Sequence, residues 1–220
     1  AKQAGRGRFM FYAPVMNAEN ERRMQLEASL RRAGERGEFL LHYQPRTELA
    51  TRRIKGFEAL LRWQDPRNGL VAPAEFIPLA EETGLIVPIG YWVIEEACRQ
   101  LAQWHALGHR DLGMSINLSA RQFQDPGLVD RVACILTDLR LPPDCVEFEL
   151  TESVLMDNAE RSLEQLERLR ALQVTIAIDD FGMGYSSLSY LKRFPIHALK
   201  IDRNFVSDLV TNPEDAAIVR

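Results

Sequence analysis

Three things are scarce in this chain: cysteine, an excess of positive charge, and unbroken apolar runs. Cysteine occurs three times in 220 residues, at positions 98, 134 and 145. The number is odd, the positions are far apart, and no pair has metal-ligand or redox spacing, which argues against a disulfide framework or a zinc cluster. The expectation is three reduced thiols packed in the core of a cytoplasmic domain. Lys and Arg total 27 against 31 Asp and Glu, a formal net charge of -4. No bulk basic field is available for a nucleic-acid backbone, so no duplex partner is expected. The longest apolar candidate, GLIVPIGYWVI, is cut by Pro88 and Gly90 and falls short of the ~20 residues that span a bilayer. No signal peptide is expected. The first residue is not Met, and the expectation is a piece of a longer parent, with any membrane anchor upstream.

What is present is enough apolar content, 46%, to build a real core in one large domain or two small ones. Residues 17–37 are highly charged, with Leu26, Leu30 and Ala33 at helical spacing, and read as a linker helix. From position 38, short β-like runs (FLLHYQ, IKGFEALLRW, GMSINLS, CVEFELT, VTIAID, HALKID) alternate with amphipathic helical stretches. Two of those stretches carry Ile89, Val93, Ala97, Leu101 and Trp104, and Leu163, Leu166 and Leu169. Strand followed repeatedly by helix implies an α/β fold with a parallel sheet, open or closed into a barrel.

Side chains alternate along a strand, so each run can be sorted into two faces. Val174, Ile176 and Ile178 share one face of VTIAID; Thr175, Ala177 and Asp179 share the other. The same division opposes Met114, Ile116 and Leu118 to Asn117, and Val146, Phe148 and Leu150 to Glu147 and Glu149. It opposes Phe57, Ala59 and Leu61 to Glu58, and Leu199 and Ile201 to Lys200. If the apolar faces lie under helices, the opposite faces line a barrel interior. Glu58, Asn117, Glu149, Asp179 and Lys200 then converge near the carboxyl ends of the strands, where barrel active sites form.

Two carboxylates about 4 Å apart repel by roughly 4 kcal/mol at an effective dielectric near 20. Glu58, Glu149, Asp179 and Asp180 therefore need protons or cations beside them, and Lys200 alone is too little. Oxygen ligands with an Asn carbonyl suit Mg2+ or Mn2+ rather than zinc. The adjacent Asp179 and Asp180 suit two ions with one bridging carboxylate, the arrangement that serves displacement at phosphorus. Taken singly, each acid also reads as a helix cap or an Arg partner. Carboxylates plus Lys at barrel strand ends describe magnesium-dependent enolisation equally well.

At these residues the sequence resembles the EAL domain family of cyclic di-GMP phosphodiesterases. The likeness runs from about Phe39 to the last residue through YQP at 43–45, FEALLRW at 57–63, FIPLAEETGLI at 76–86, NLS at 117–119, ELTES at 149–153, DDFGMGYSSL at 179–188 and LKID at 199–202. It implies a TIM-like (β/α) barrel over 38–220 that hydrolyses cyclic di-GMP to linear pGpG with two metal ions. The implied ligands are Glu58, Asn117, Glu149, Asp179 and Asp180. Lys200 is implied beside the attacking water and Glu152 as the holder of the loop after the aspartates; Gln44, Arg62, Pro78 and Asp202 are implied substrate contacts. A homodimer through the EAL domain is also implied. A catalytically weak or inactive cyclic di-GMP receptor or regulatory module is the alternative.

The first residues, AKQAGRGRFMFY, resemble the end of a GGDEF domain; with 1–16 as its remnant, the parent joins GGDEF and EAL domains. Two departures stand out. Met183 occupies a position where the family usually has Thr. The chain also ends at Arg220, before the family's EGVE and QG motifs, so the expectation is an incomplete domain whose barrel cannot close with these residues alone.

Overall fold

The computed structural model describes residues 14–182 and 192–207. Met183 and the first 13 residues of the GGDEF-like segment at 1–16 lie outside the described residues. One mixed sheet organises the rest: β1 (Phe39–Thr47), β2 (Ile54–Asp65), β3 (Gly69–Val71), β4 (Gly113–Asn117), β5 (Val146–Thr151), β6 (Thr175–Phe181) and β7 (Ala198–Ile201). Hydrogen bonding runs in the order β1-β2-β4-β5-β6-β7, with β3 paired to β2. From β2 through β7 this path is parallel, the α/β arrangement of a TIM-like fold. Two strands depart from the all-parallel expectation: β1 and the short β3 both run antiparallel to β2. Only about six residues separate β1 from β2, too few for the crossover that parallel neighbours require.

Helices cover one face of the sheet. α2 (Pro73–Thr83) starts with Pro at its first position, where the missing N–H costs nothing, and stops at Gly84 in the left-handed region (φ 79°). α3 (Ile86–Ala106) buries Ile89, Val93, Ala97 and Leu101, the stripe read from its spacing. After the single-turn α4 (Ala120–Phe123), α5 (Leu128–Leu139) buries Leu128, Val129, Val132, Ile135 and Leu136. Cys134 lies off that stripe and is exposed, unlike the expected buried thiol, whereas Cys98 is buried and Cys145 half-buried. Two further helices, α6 (Glu152–Asp157) and α7 (Ala159–Ala171), follow β5; Asn158 Oδ1 caps α7 by accepting the Arg161 N–H at 3.2 Å. The helix expected over 17–37 spans Pro14–Ala33 as α1. Its last turn joins the core, with Leu30 and Ala33 buried.

The outer faces of β4, β5 and β6 are the core, as alternation requires: Met114, Ile116, Val146, Phe148, Leu150, Ile176 and Ile178 are all buried. On β7, the last strand of the described sheet, Leu199 and Ile201 remain more than a third exposed. Burying a side chain such as Phe148 is worth about 1.5–3 kcal/mol, so the outer face, not the polar inner one, holds the sheet in place. That leaves the inner face free to carry charge.

Candidate active site

The strand register places the inner side chains in tiers. Gly56 of β2 pairs with Gly113 of β4, and Glu58 with Ser115. Ser115 pairs with Glu147, and Asn117 with Glu149. Across the sheet Glu149 pairs with Ala177 and Ala177 with Ala198. Alternation then brings Asp179 and Lys200 one inward position higher.

The side chains meet as parity predicts. Lys200 Nζ donates to Glu149 Oε2 at 2.6 Å and lies 3.2 Å from both Glu58 Oε2 and Asp179 Oδ2. Asn117 Nδ2 donates to Glu58 Oε1 at 2.9 Å. Burial pushes the Glu149 carboxyl up to about 7; the Lys200 hydrogen bond and charge oppose that shift, while Glu58 and Asp179 add to it. Burial by itself lowers the Lys200 ammonium, but the bond to Glu149 and the charges of Glu149, Glu58 and Asp179 carry it above the ordinary lysine range.

Asp180 reaches this region through a feature that alternation does not contain. Ile178 pairs with Leu199 but Phe181 pairs with Ile201, so Asp179 and Asp180 together oppose the single residue Lys200. This bulge sets Asp180 at φ 52°, in the left-handed region that Asp tolerates better than most residues. The Asp180 N–H donates to Asp179 Oδ1 at 3.0 Å. Burial first, then the charges of Asp179 and Asp202, raise the Asp180 carboxyl above its ordinary value.

The remaining candidates are dispersed around this cluster. Buried Glu152, at the start of α6, accepts the Gly182 N–H on Oε2 at 3.3 Å and so ties down the residue that follows the aspartates and Phe181. Gln44 stands opposite Glu58 on β1 and is exposed. Arg62 Nη1 turns back to donate to Leu61 O at 2.9 Å. Asp202 accepts the Asn204 N–H at 2.8 Å. Pro78 lies outside the group: it lines a groove with Arg22, Arg23 and Leu26 of α1. Its neighbour Ile77, about 100° round the helix, faces a cavity of about 320 Å3 bordered by Arg62 and Asn117. Arg46 was not among the candidates, although it shares the inner parity of Gln44; its guanidinium contacts Ser115 and Glu147. Recognising it requires the direction and register of β1, which are long-range facts.

The donor set fits hard divalent cations. It is all oxygen, acidic, and includes Glu149 Oε1, a buried atom with no hydrogen-bond partner. Among the described residues no three acids surround one point at coordinating distance; the Lys200 ammonium lies between them instead.

An acidic, all-oxygen cluster at the carboxyl ends of parallel strands defines the class: an α/β protein of TIM-like fold with its site at the strand ends. More particularly, the chain belongs to the EAL domain family, whose profile matches residues 27–220. Over 219 residues it is 50% identical to MucR of Pseudomonas aeruginosa, a bifunctional diguanylate cyclase/cyclic di-GMP phosphodiesterase; the match covers 100% of this chain and 32% of MucR. It is 41% identical to the cyclic di-GMP phosphodiesterase PdeR of Escherichia coli, covering 100% of this chain and 33% of PdeR. The chain thus spans about a third of these relatives' length. The solved c-di-GMP complex of the PaMucR phosphodiesterase superposes with a TM-score of 0.84 at 52% identity, over 89% of this chain and 79% of that one.

Proposed function

We propose that the protein hydrolyses cyclic di-GMP to linear pGpG, using divalent cations, Mg2+ or Mn2+, held by Glu58, Asn117, Glu149, Asp179 and Asp180. The observation that carries this reading is the convergence of Glu58, Glu149 and Asp179 within 3.2 Å of one ammonium, with a buried carboxylate oxygen left unpartnered beside them. The activity named for the MucR and PdeR relatives supports phosphodiester chemistry over the enolisation that the same groups also suit.

When bound, the cations supply positive charge that stabilises the attacking and leaving oxygens of a displacement at phosphorus. The chain's own residues do the rest. Lys200, whose three donors are taken by Glu149, Glu58 and Asp179 here, would turn one of them to the attacking water and orient it once cations neutralise those acids. Arg62, whose guanidinium makes one hydrogen bond to its own strand, keeps donors for a phosphate oxygen, the group a planar guanidinium binds best. Gln44, exposed opposite Glu58, and Asp202, beside the bulge, are rim contacts for the nucleotide. Glu152 fixes the Gly182 amide and with it the start of the segment beyond the aspartates.

The test is chromatographic analysis of cyclic di-GMP incubated with the protein and Mg2+ or Mn2+. pGpG is the expected product, with turnover reduced at least about 100-fold in Glu58→Ala, the scale on which loss of a charged active-site group acts. Cyclic di-GMP bound but unchanged would instead identify a receptor.

A further inference from the structure

We infer that Arg46 is a positioning residue: from the tier beneath the cluster it holds Glu149 in the orientation that cation binding needs. This rests on the cation site proposed above. Arg46 pairs with Gly56 across β1 and β2, as Gln44 does with Glu58, so its side chain enters the same inner face one tier lower. Its Nη1 donates to Ser115 Oγ and to Glu147 Oε1. Ser115 Oγ in turn donates to Glu147 Oε1 at 2.8 Å. The same nitrogen lies 3.9 Å from Glu149 Oε1.

Glu149 thereby faces a cation on two sides, one hydrogen-bonded to it and one at ion-pair distance. Lys200 takes Oε2 from above, and among the described residues Arg46 is the ion-pair partner on the side of Oε1. That oxygen is fully buried and accepts no hydrogen bond, so beside the Lys200 bond to Oε2 the charge of Arg46 is what acts on this side of the carboxylate. A ligand carboxylate is only as well placed as the groups behind it, and removing such a supporting group typically weakens metal binding ~10–100-fold. The guanidinium suits the task because the two hydrogen bonds of Nη1, to Ser115 and Glu147, fix a planar group whose charge then faces Glu149. A lysine ammonium brings a similar point charge but on a flexible stem, without the fixed planar geometry, and so holds its position less well.

The alternative role, a bare positive charge offsetting Glu147, predicts the opposite sign. A cation near a cation site repels the incoming ion, so deleting it should tighten Mn2+ binding. The experiment is a Mn2+ titration of the metal-stripped protein, reading free Mn2+ by electron paramagnetic resonance. Wild type is compared with Arg46→Met, Arg46→Lys and the double variant Arg46→Met with Glu147→Gln. Arg46→Met should weaken Mn2+ about tenfold or more, Arg46→Lys less, and the double variant should stay weak, because neutralising Glu147 does not restore the hold on Glu149. Unchanged or tighter Mn2+ binding in Arg46→Met, or full recovery in the double variant, overturns the inference. Should Arg46→Met fail to fold by circular dichroism, wild-type affinity in Arg46→Lys overturns it. A wild-type protein that takes up no Mn2+ removes the cation site itself, an outcome distinct from equal binding by wild type and variants.

Discussion

Asp180 shows at a single residue how the chain trades stability for a site. Its backbone is held at φ 52°, its neighbour Asp179 carries like charge, and its carboxyl is raised by burial, Asp179 and Asp202. Conformations of this kind persist at functional sites because the surrounding structure imposes them. Asn tolerates the same backbone and lacks the charge. Asp180→Asn should therefore raise the thermal midpoint of the metal-free protein slightly, by an amount worth at most ~1 kcal/mol, while abolishing turnover; calorimetry and product analysis on one preparation check both arms. Gly56 poses a purely steric constraint. A Cβ there would sit 2.5 Å from the carbonyl oxygen of Gly113, a backbone atom that cannot swing aside. Gly56→Ala should push β2 from β4 and cost about 1–3 kcal/mol in urea unfolding.

At the scale of elements, α1 is tied to the domain by two unequal means. Arg22–Glu75 and Arg23–Glu82 pair across α1 and α2 with largely exposed side chains, whereas Leu30 is buried in the core. Exposed pairs contribute under ~1 kcal/mol each, and a buried Leu cut to Ala costs ~2–5 kcal/mol. Leu30→Ala should lower the urea midpoint well beyond the joint effect of Arg22→Ala and Arg23→Ala; the reverse order would assign the docking to charge. The strands were the more legible elements in the sequence. Period-two alternation was enough to bring Glu58, Asn117, Glu149, Asp179 and Lys200 to one face, because a buried outer face leaves each parallel strand no freedom of register. What alternation does not encode was missed: the bulge that turns Asp180, the antiparallel sense of β1 that brings in Arg46, and the rotation of α2 that sends Ile77 rather than Pro78 toward the cavity. Each depends on long-range pairing or on which side of a helix meets its neighbour.

Across the whole molecule, packing and chemistry are segregated to opposite faces of one sheet. Apolar outer faces supply the packing, so the inner face can gather four acids with Lys200 and Arg46 as their partners, a grouping that burial alone makes unfavourable. Among the described residues no helix is long and apolar enough to cross a membrane. Whether this inner face holds divalent cations is read directly from an anomalous diffraction map of crystals grown with Mn2+ and cyclic di-GMP. Two Mn2+ peaks are expected within coordinating distance of Glu58, Asn117, Glu149, Asp179 and Asp180, with Lys200 displaced from the centre of the acids. A map with no peak there, and Lys200 still bonded to Glu149, Glu58 and Asp179, would contradict the cation site.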